Sequence, residues 1–371
     1  MREEITARTC AAMIDAGLDA IIAISPENFA YLTGFVVPSQ SDLRWRHAAV
    51  VLTADGGEGI LCVDMEETTV RGRAGDTEIQ VWGEFTDNSM AVLAELLGDL
   101  GLETARIGTE LDYLPAGDLR DLEGRMPLIS FVPVDPMMNR LRQIKTAEEL
   151  ELLRRLSRIS DTAIGAAFAA VSPGSSEMDL AAGLTRSVYE QGAQKFKLMI
   201  VATGERSQLP NVGPSARVLE PGDVCRVEIF AMINGYHAGV CRTAVVGHAP
   251  PEAERIWANL ADCRRMLFDL IAPGIATREV YQAFLDKFGA LGLPPIDFVG
   301  HGIGLHLHED PYLSDHDDGT LEAGMVLGVE PLVYRTGFGF GLQFKDMIAV
   351  TEAGCELLSD ATDNEQLIVI E

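Results

Sequence analysis

From Thr146 to Thr351 the sequence passes twice through one order of elements, two helices and then strands, and this repetition limits the fold more than any single motif does. Thr146-Ala-Glu-Glu149 opens the first pass as a capping box: the Thr146 hydroxyl can take an N–H, and Glu149 sits three residues on to answer it. The spacing predicts a helix over 150–170 stopped by Ser172-Pro-Gly, a second from 176 to 192, and strands over 197–203, 224–233 and 242–246. Helices return over 252–271 and 277–289, with strands around Val299, 325–333 and 347–351. Two such halves pack as an α+β domain.

The first 130 residues read differently. A helix over 2–16 precedes a short buried strand over 19–24 that ends at Ser25-Pro26, and strands over 48–53 and 59–63 flank an Asp55-Gly-Gly turn. A helix over 89–100 and a strand over 106–109 complete an α/β unit. Two prolines in Phe131-Val-Pro-Val-Asp-Pro mark the boundary, giving an N-terminal domain 1–135 and a second domain 136–371.

Composition narrows the partners. Of 371 residues, 47% are hydrophobic, enough for two cores, while 29 basic against 56 acidic residues leave a formal charge of -27. That balance argues against nucleic acid or an anionic membrane surface, both of which reward Lys and Arg. No apolar run approaches the roughly 18–20 residues of a membrane helix. The start Met1-Arg-Glu-Glu-Ile lacks a signal-peptide pattern, and six scattered cysteines without a CxxC read as reduced thiols, so a cytoplasmic location is expected.

Histidine carries the sharpest chemical signal. Three of seven fall in Gly300-His301-Gly-Ile-Gly-Leu-His306-Leu-His308-Glu309, where the glycines let backbone approach a ligand closely. His301 and His308 need a turn between them to converge on one site.

This segment, followed by Glu322-Ala-Gly-Met-Val-Leu-Gly-Val-Glu330-Pro, resembles the creatinase, aminopeptidase P and methionine aminopeptidase family. So does Gly222-Asp-Val-Cys-Arg-Val-Glu228. Upstream, Asn28-Phe-Ala-Tyr-Leu-Thr-Gly-Phe and Leu141-Arg-Gln-Ile-Lys-Thr-Ala-Glu-Glu-Leu resemble its two-domain prolidase and creatinase branch. The resemblance implies an α/β N-terminal domain followed by a pita-bread domain of two similar halves. It also implies five ligands holding two divalent cations that activate a water. Their positions fall on Glu228, Gly239, His301, Glu330 and Lys345. One ligand is thus lengthened, one is lost, one has reversed charge, and two stand unchanged.

Electrostatics turns that pattern into an expectation. An ammonium about 4 Å from a dication costs roughly 8 kcal/mol at an effective dielectric of 20. A site holding Lys345 is therefore expected to be metal-free, with no cofactor; the alternative is one divalent ion such as Mn, Co or Zn, with Cys241, His237, Asp346 or His306 as replacement ligands. The family's catalytic histidine falls on Asn211, whose amide can bond a substrate but cannot accept a proton at neutral pH. Creatinase is the family's precedent for hydrolysis without metal, and there an aromatic–arginine segment of the partner's N-terminal domain binds the substrate carboxylate. Arg44-Trp45-Arg46 stands in the corresponding region, which implies a homodimer whose N-terminal domain completes the partner's site.

The expectation is thus a metal-independent hydrolase or lyase acting on a C–N bond of a small, polar, carboxylate-bearing molecule. His301, His308, Glu330, Lys345 and Glu228 would be catalytic: the histidines handling protons, the glutamates holding a cationic group or orienting water, and Lys345 stabilising negative charge. Asn211, Arg44, Trp45, Arg46, Cys241 and Glu309 would contact substrate. The competing readings are a metal-dependent Xaa-Pro dipeptidase or aminopeptidase, and a binding protein that has kept the fold without catalysis.

Overall fold

The computed structural model describes residues 2–371, and the chain separates into two compact units, Met1–Arg142 and Gln143–Glu371. The division lies past the proline-rich segment because Ser130–Pro133 is an edge strand paired in parallel with Arg106–Thr109. Proline is tolerated there since an edge leaves one row of N–H groups unused.

In the first unit six strands form a mixed sheet in the order Glu78–Trp82, Glu58–Val63, Ala49–Thr53, Ala20–Ala23, Arg106–Thr109, Ser130–Pro133. Its central strands are buried along their whole length, so they read as continuous apolar runs. Ser25-Pro26, expected as a strand stop, also starts a helix. Ser25 caps Pro26–Thr33 by accepting from Asn28 N, with Pro26 at the first turn, where its missing N–H costs nothing.

The second unit carries the repeat that the sequence announces. Helices Ala147–Ala169 and Glu177–Glu190 precede one sheet, and Pro251–Leu270 and Thr277–Ala290 precede the other. The Thr146 capping box forms as expected. Gly174 and Gly274, both at positive φ, donate to Leu219 O and Leu321 O, and the bridges Ser176–Val218 and Ala276–Thr320 match them. The same turn is built twice, a hundred residues apart.

The first sheet has the order Ile368–Ile370, Tyr236–Val246, Val224–Ile233, Lys195–Thr203. The second runs Glu309–Ser314, Phe298–Gly302, Val326–Val329, Asp346–Thr351, Gly354–Leu357. A bridge between Cys241 and Lys345 joins them, each backbone N–H donating to the other's carbonyl. The strand from Tyr236 is six residues longer at its start than the pattern over 242–246 suggested, and it brings Gly239 into the ladder opposite Phe230.

Candidate active site

Where the sheets meet, a cavity of about 660 Å³ opens, with Glu228, Glu330 and Lys345 in its lining beside His308 and Asn211. Glu228 lies in the middle of Val224–Ile233, His301 on Phe298–Gly302, Glu330 just beyond Val326–Val329, and Lys345 just before Asp346–Thr351. Four strands thus aim four polar side chains at one point, and His308 reaches it from the loop that closes the Gly302–Glu309 turn.

Lys345 is the hub. Its Nζ is 3.2 Å from Glu228 Oε1, 3.2 Å from Glu330 Oε2 and 3.1 Å from His301 Nε2, so all three N–H groups have partners. It also lies 4.7 Å from the Phe230 ring centroid. Burial pushes its ammonium toward neutrality, but Glu330 and Glu228 outweigh that and hold its pKa above the ordinary lysine value. Burial likewise raises the Glu330 pKa, yet Lys345 and then His301 bring it down to about 2.

His301 donates from Nδ1 to Gly302 O at 2.8 Å, because a carbonyl can only accept. The lone pair of neutral His301 is therefore on Nε2, turned toward Lys345 and 3.5 Å from Glu330 Oε1. His308 stacks on His301 with ring centroids 3.8 Å apart. Burial, with His301 and the Lys345 ammonium beside it, pushes its pKa down to about 4. With both of its nitrogens engaged, His301 is not free to shuttle protons, which corrects the role expected for it.

Gln343 is a member that sequence reasoning missed. Its Nε2 donates to Glu330 Oε2 at 3.1 Å and to Glu228 Oε2 at 3.3 Å, while its Oε1 accepts from Arg226 at 2.8 Å. The guanidinium, itself over the Tyr334 ring, fixes which end of the amide faces the carboxylates. A lone glutamine in a two-residue strand has no periodicity to reveal it; only its place two residues before Lys345 could have drawn notice.

Several expected contacts lie elsewhere. Cys241 is fully buried, and burial with Glu228 opposite raises its thiol well above the ordinary value, so it is neither a nucleophile nor a substrate contact. Glu309 is buried against Lys145 at 3.1 Å and accepts from Leu305 N and His306 N, which makes it an anchor of the histidine loop. In the first unit Arg46 is held by both oxygens of Glu84, while Arg44, over the Tyr113 ring, and Trp45 are both exposed. The replacement ligands fare no better: Asp346 is bound by Arg242 and Arg264, and His237 Nδ1 is 3.2 Å from Gly304 O.

The donor set decides how much metal this floor fits. Two dications do not fit. Position 239 offers no side chain, and a Cβ there would lie 2.2 Å from the Phe230 ring, while position 345 presents an ammonium. A single ion fits better: ligand atoms of His301, His308 and Glu330 lie within 4.8 Å of one another. The 3.5 Å between His301 Nε2 and Glu330 Oε1 is near the roughly 3.4 Å edge of a tetrahedron with bonds of about 2.1 Å. Lys345 would have to release Nε2 for an ion to take it.

Known proteins supply the comparison. The model described as metallopeptidase family M24 matches residues 151–352, and that of the creatinase/prolidase N-terminal domain matches 6–144. A probable dipeptidase, PepE of Mycobacterium tuberculosis, is 28% identical over 370 residues, spanning 98% of this chain and 95% of that protein. An Xaa-Pro dipeptidase of Pyrococcus furiosus is 27% identical over 96% of this chain and 97% of its own length. Among solved structures, an Xaa-Pro dipeptidase from Bacillus anthracis superposes with a TM-score of 0.85, 26% identity and full coverage of both chains. These findings overturn two expectations. A metal-independent, creatinase-like C–N hydrolase gives way to the metal-dependent Xaa-Pro dipeptidase alternative, because the matching model describes metallopeptidases and the relatives carry dipeptidase names. The expectation of no cofactor falls with it, since His301, His308 and Glu330 already form a possible ligand set. Fold, domain order and full-length likeness agree: this chain is a hydrolase of metallopeptidase family M24, built on the pita-bread fold behind a creatinase/prolidase-type N-terminal domain.

Proposed function

We propose that this chain hydrolyses small Xaa-Pro dipeptides, using one divalent cation held by His301, His308 and Glu330. The observation that carries the reading is the pairing of His301 Nε2 with Glu330 Oε1 at 3.5 Å, roofed by the stacked His308 ring, on the floor of a cavity with both apolar and polar walls. Phe230, Pro294, Pro295, Phe298 and Leu332 line walls that suit a proline ring. When bound, the ion supplies Lewis-acid polarisation of the scissile carbonyl and acidifies a water.

The remaining work belongs to the chain. With His301 neutral, Glu228 and Glu330 outweigh Lys345 by one negative charge, which attracts a cation or the dipeptide's own ammonium group. Gln343 and Lys345 keep both carboxylates in one orientation, so Glu228 would be a fixed acceptor for a proton and could return it to the proline nitrogen, which leaves as a secondary amine. Asn211 on the cavity wall offers amide hydrogen bonds to the substrate. A homodimer in which the Trp45 loop approaches the partner's cavity belongs to the same proposal, and light scattering tests it.

The direct test is Ala-Pro hydrolysis by purified protein with Mn²⁺, Co²⁺ or Zn²⁺ added, and again after chelation. Cleavage that chelation abolishes and the cation restores is expected; no cleavage of Ala-Pro under any of these conditions sinks the reading.

A further inference from the structure

We propose that the ammonium of Lys345 stands in for one of the two cations that the resemblance implies, as a positive charge tethered to the chain. The proposal deepens the peptidase reading and rests on it for the ion at His301, His308 and Glu330.

Its geometry is that of a bridging cation. Nζ stands 3.2 Å from a carboxylate oxygen of each glutamate, bridging the two as a cation would, and its 3.1 Å contact with His301 Nε2 is the one it gives up when the single ion takes that nitrogen. Neighbouring positions are shaped for it. A Cβ on Gly328 would lie 3.2 Å from Lys345 Cε, so glycine keeps the channel for the lysine stem open. The Phe230 ring, 4.7 Å from Nζ, fills the space that a side chain at Gly239 would need. One ring thus packs against both the glycine at 239 and the ammonium of Lys345. Behind the stem, Arg242 donates to the carbonyls of both Lys345 and Cys241, which fixes the backbone that aims Nζ.

Charge points the same way. Glu228, Glu330 and Lys345 sum to one negative charge, so one dication leaves the floor at +1, whereas two leave +3. The second would also meet the ammonium at close range, where like charges repel strongly.

Cation stoichiometry after equilibrium dialysis against Mn²⁺, read by elemental analysis, tests this without any substrate. The wild-type chain is expected to hold one ion and Lys345→Glu one more. Two ions in the wild type, or no gain in the variant, overturn the proposal. No ion in the wild type with one in Lys345→Glu upholds the stand-in role of Lys345 and removes the single-ion part of the peptidase reading, so the two fail separately. Lys345→Met covers the case in which the glutamate variant does not fold. With the two carboxylates left bare, Mn²⁺ should raise its melting temperature more than that of the wild type, and an equal or smaller rise overturns the proposal.

Discussion

Lys345 and Asp346 are consecutive residues that anchor two buried charge clusters on opposite sides of one strand. Behind the strand, Asp346 takes Arg242 at 3.0 Å and Arg264 at 2.5 Å, and Arg242 also takes Asp161 at 2.9 Å. Two carboxylates meet two guanidinium groups, and the Ser359 hydroxyl adds a hydrogen bond to Asp346. In front, Lys345 meets Glu228 and Glu330 and leaves one negative charge facing a cavity. The rear cluster is closed by its own ion pairs, with Arg264 also meeting Glu365 at the surface at 3.0 Å, whereas the front keeps an unmatched charge beside a cavity. A buried network that is fully compensated holds a fold together, whereas one that is short of a charge and open to a cavity is ready to receive a ligand.

Mutations separate the two clusters. The largest stability loss should come from Arg242→Met, which strands Asp161 and takes away one of the two guanidinium partners of Asp346; removing one partner of a buried pair costs about 3–5 kcal/mol in denaturant unfolding. Glu330→Gln should cost less stability, because Lys345 keeps Glu228, while kcat/KM on Ala-Pro falls by a factor on the order of 10² or more, as for lost electrostatic groups in other active sites. If both variants lost stability equally and activity equally, the contrast between front and rear would be empty. Gln343→Leu lies between them. It leaves Arg226 short of an acceptor and each carboxylate short of a donor, for about 1–3 kcal/mol of stability together with a partial loss of turnover.

Acid should act on the front by a predictable sign. Glu330 is lowered from 4.5 to about 2, so its contribution is full above pH 4.5 and disappears as pH falls toward 2. The stability gap between wild type and Glu330→Gln should shrink over that window, and a constant gap would contradict the ion pair. His308, lowered from 6.5 to about 4, adds stability above pH 6.5 that is lost on the way down to 4, and His308→Gln should flatten that part of the curve. The smallest effect belongs to Cys241→Ser: a buried thiol kept protonated should leave kcat/KM within about two-fold, whereas loss of a true nucleophile costs orders of magnitude.

Periodicity and capping made most of the second unit legible. The Thr146 box, the Ser172-Pro-Gly turn and the four long helices all lie where spacing puts them, because local preference and burial agree there. Legibility failed where one residue serves two purposes. Pro26 ends a strand and opens a helix; Pro133 sits in an edge strand that resembles a linker; Gly239 interrupts apolar alternation because Phe230 needs its space. In the site, the glycine-rich segment pointed to His301, while Glu330 and Lys345 were singled out by resemblance alone. Gln343 and Arg226 were not, since their meaning lies in contacts between chain segments 117 residues apart. Metal dependence was misread because charge at one position was weighed without the neighbouring His308 ring, which a sequence cannot place over His301.

The most direct measurement is an anomalous difference map from crystals equilibrated with Mn²⁺. One peak touching His301, His308 and Glu330, with the Lys345 ammonium still bonded to Glu228, is the predicted result. Two peaks between Glu228 and Glu330, with Lys345 swung out of the cavity floor, would contradict the account.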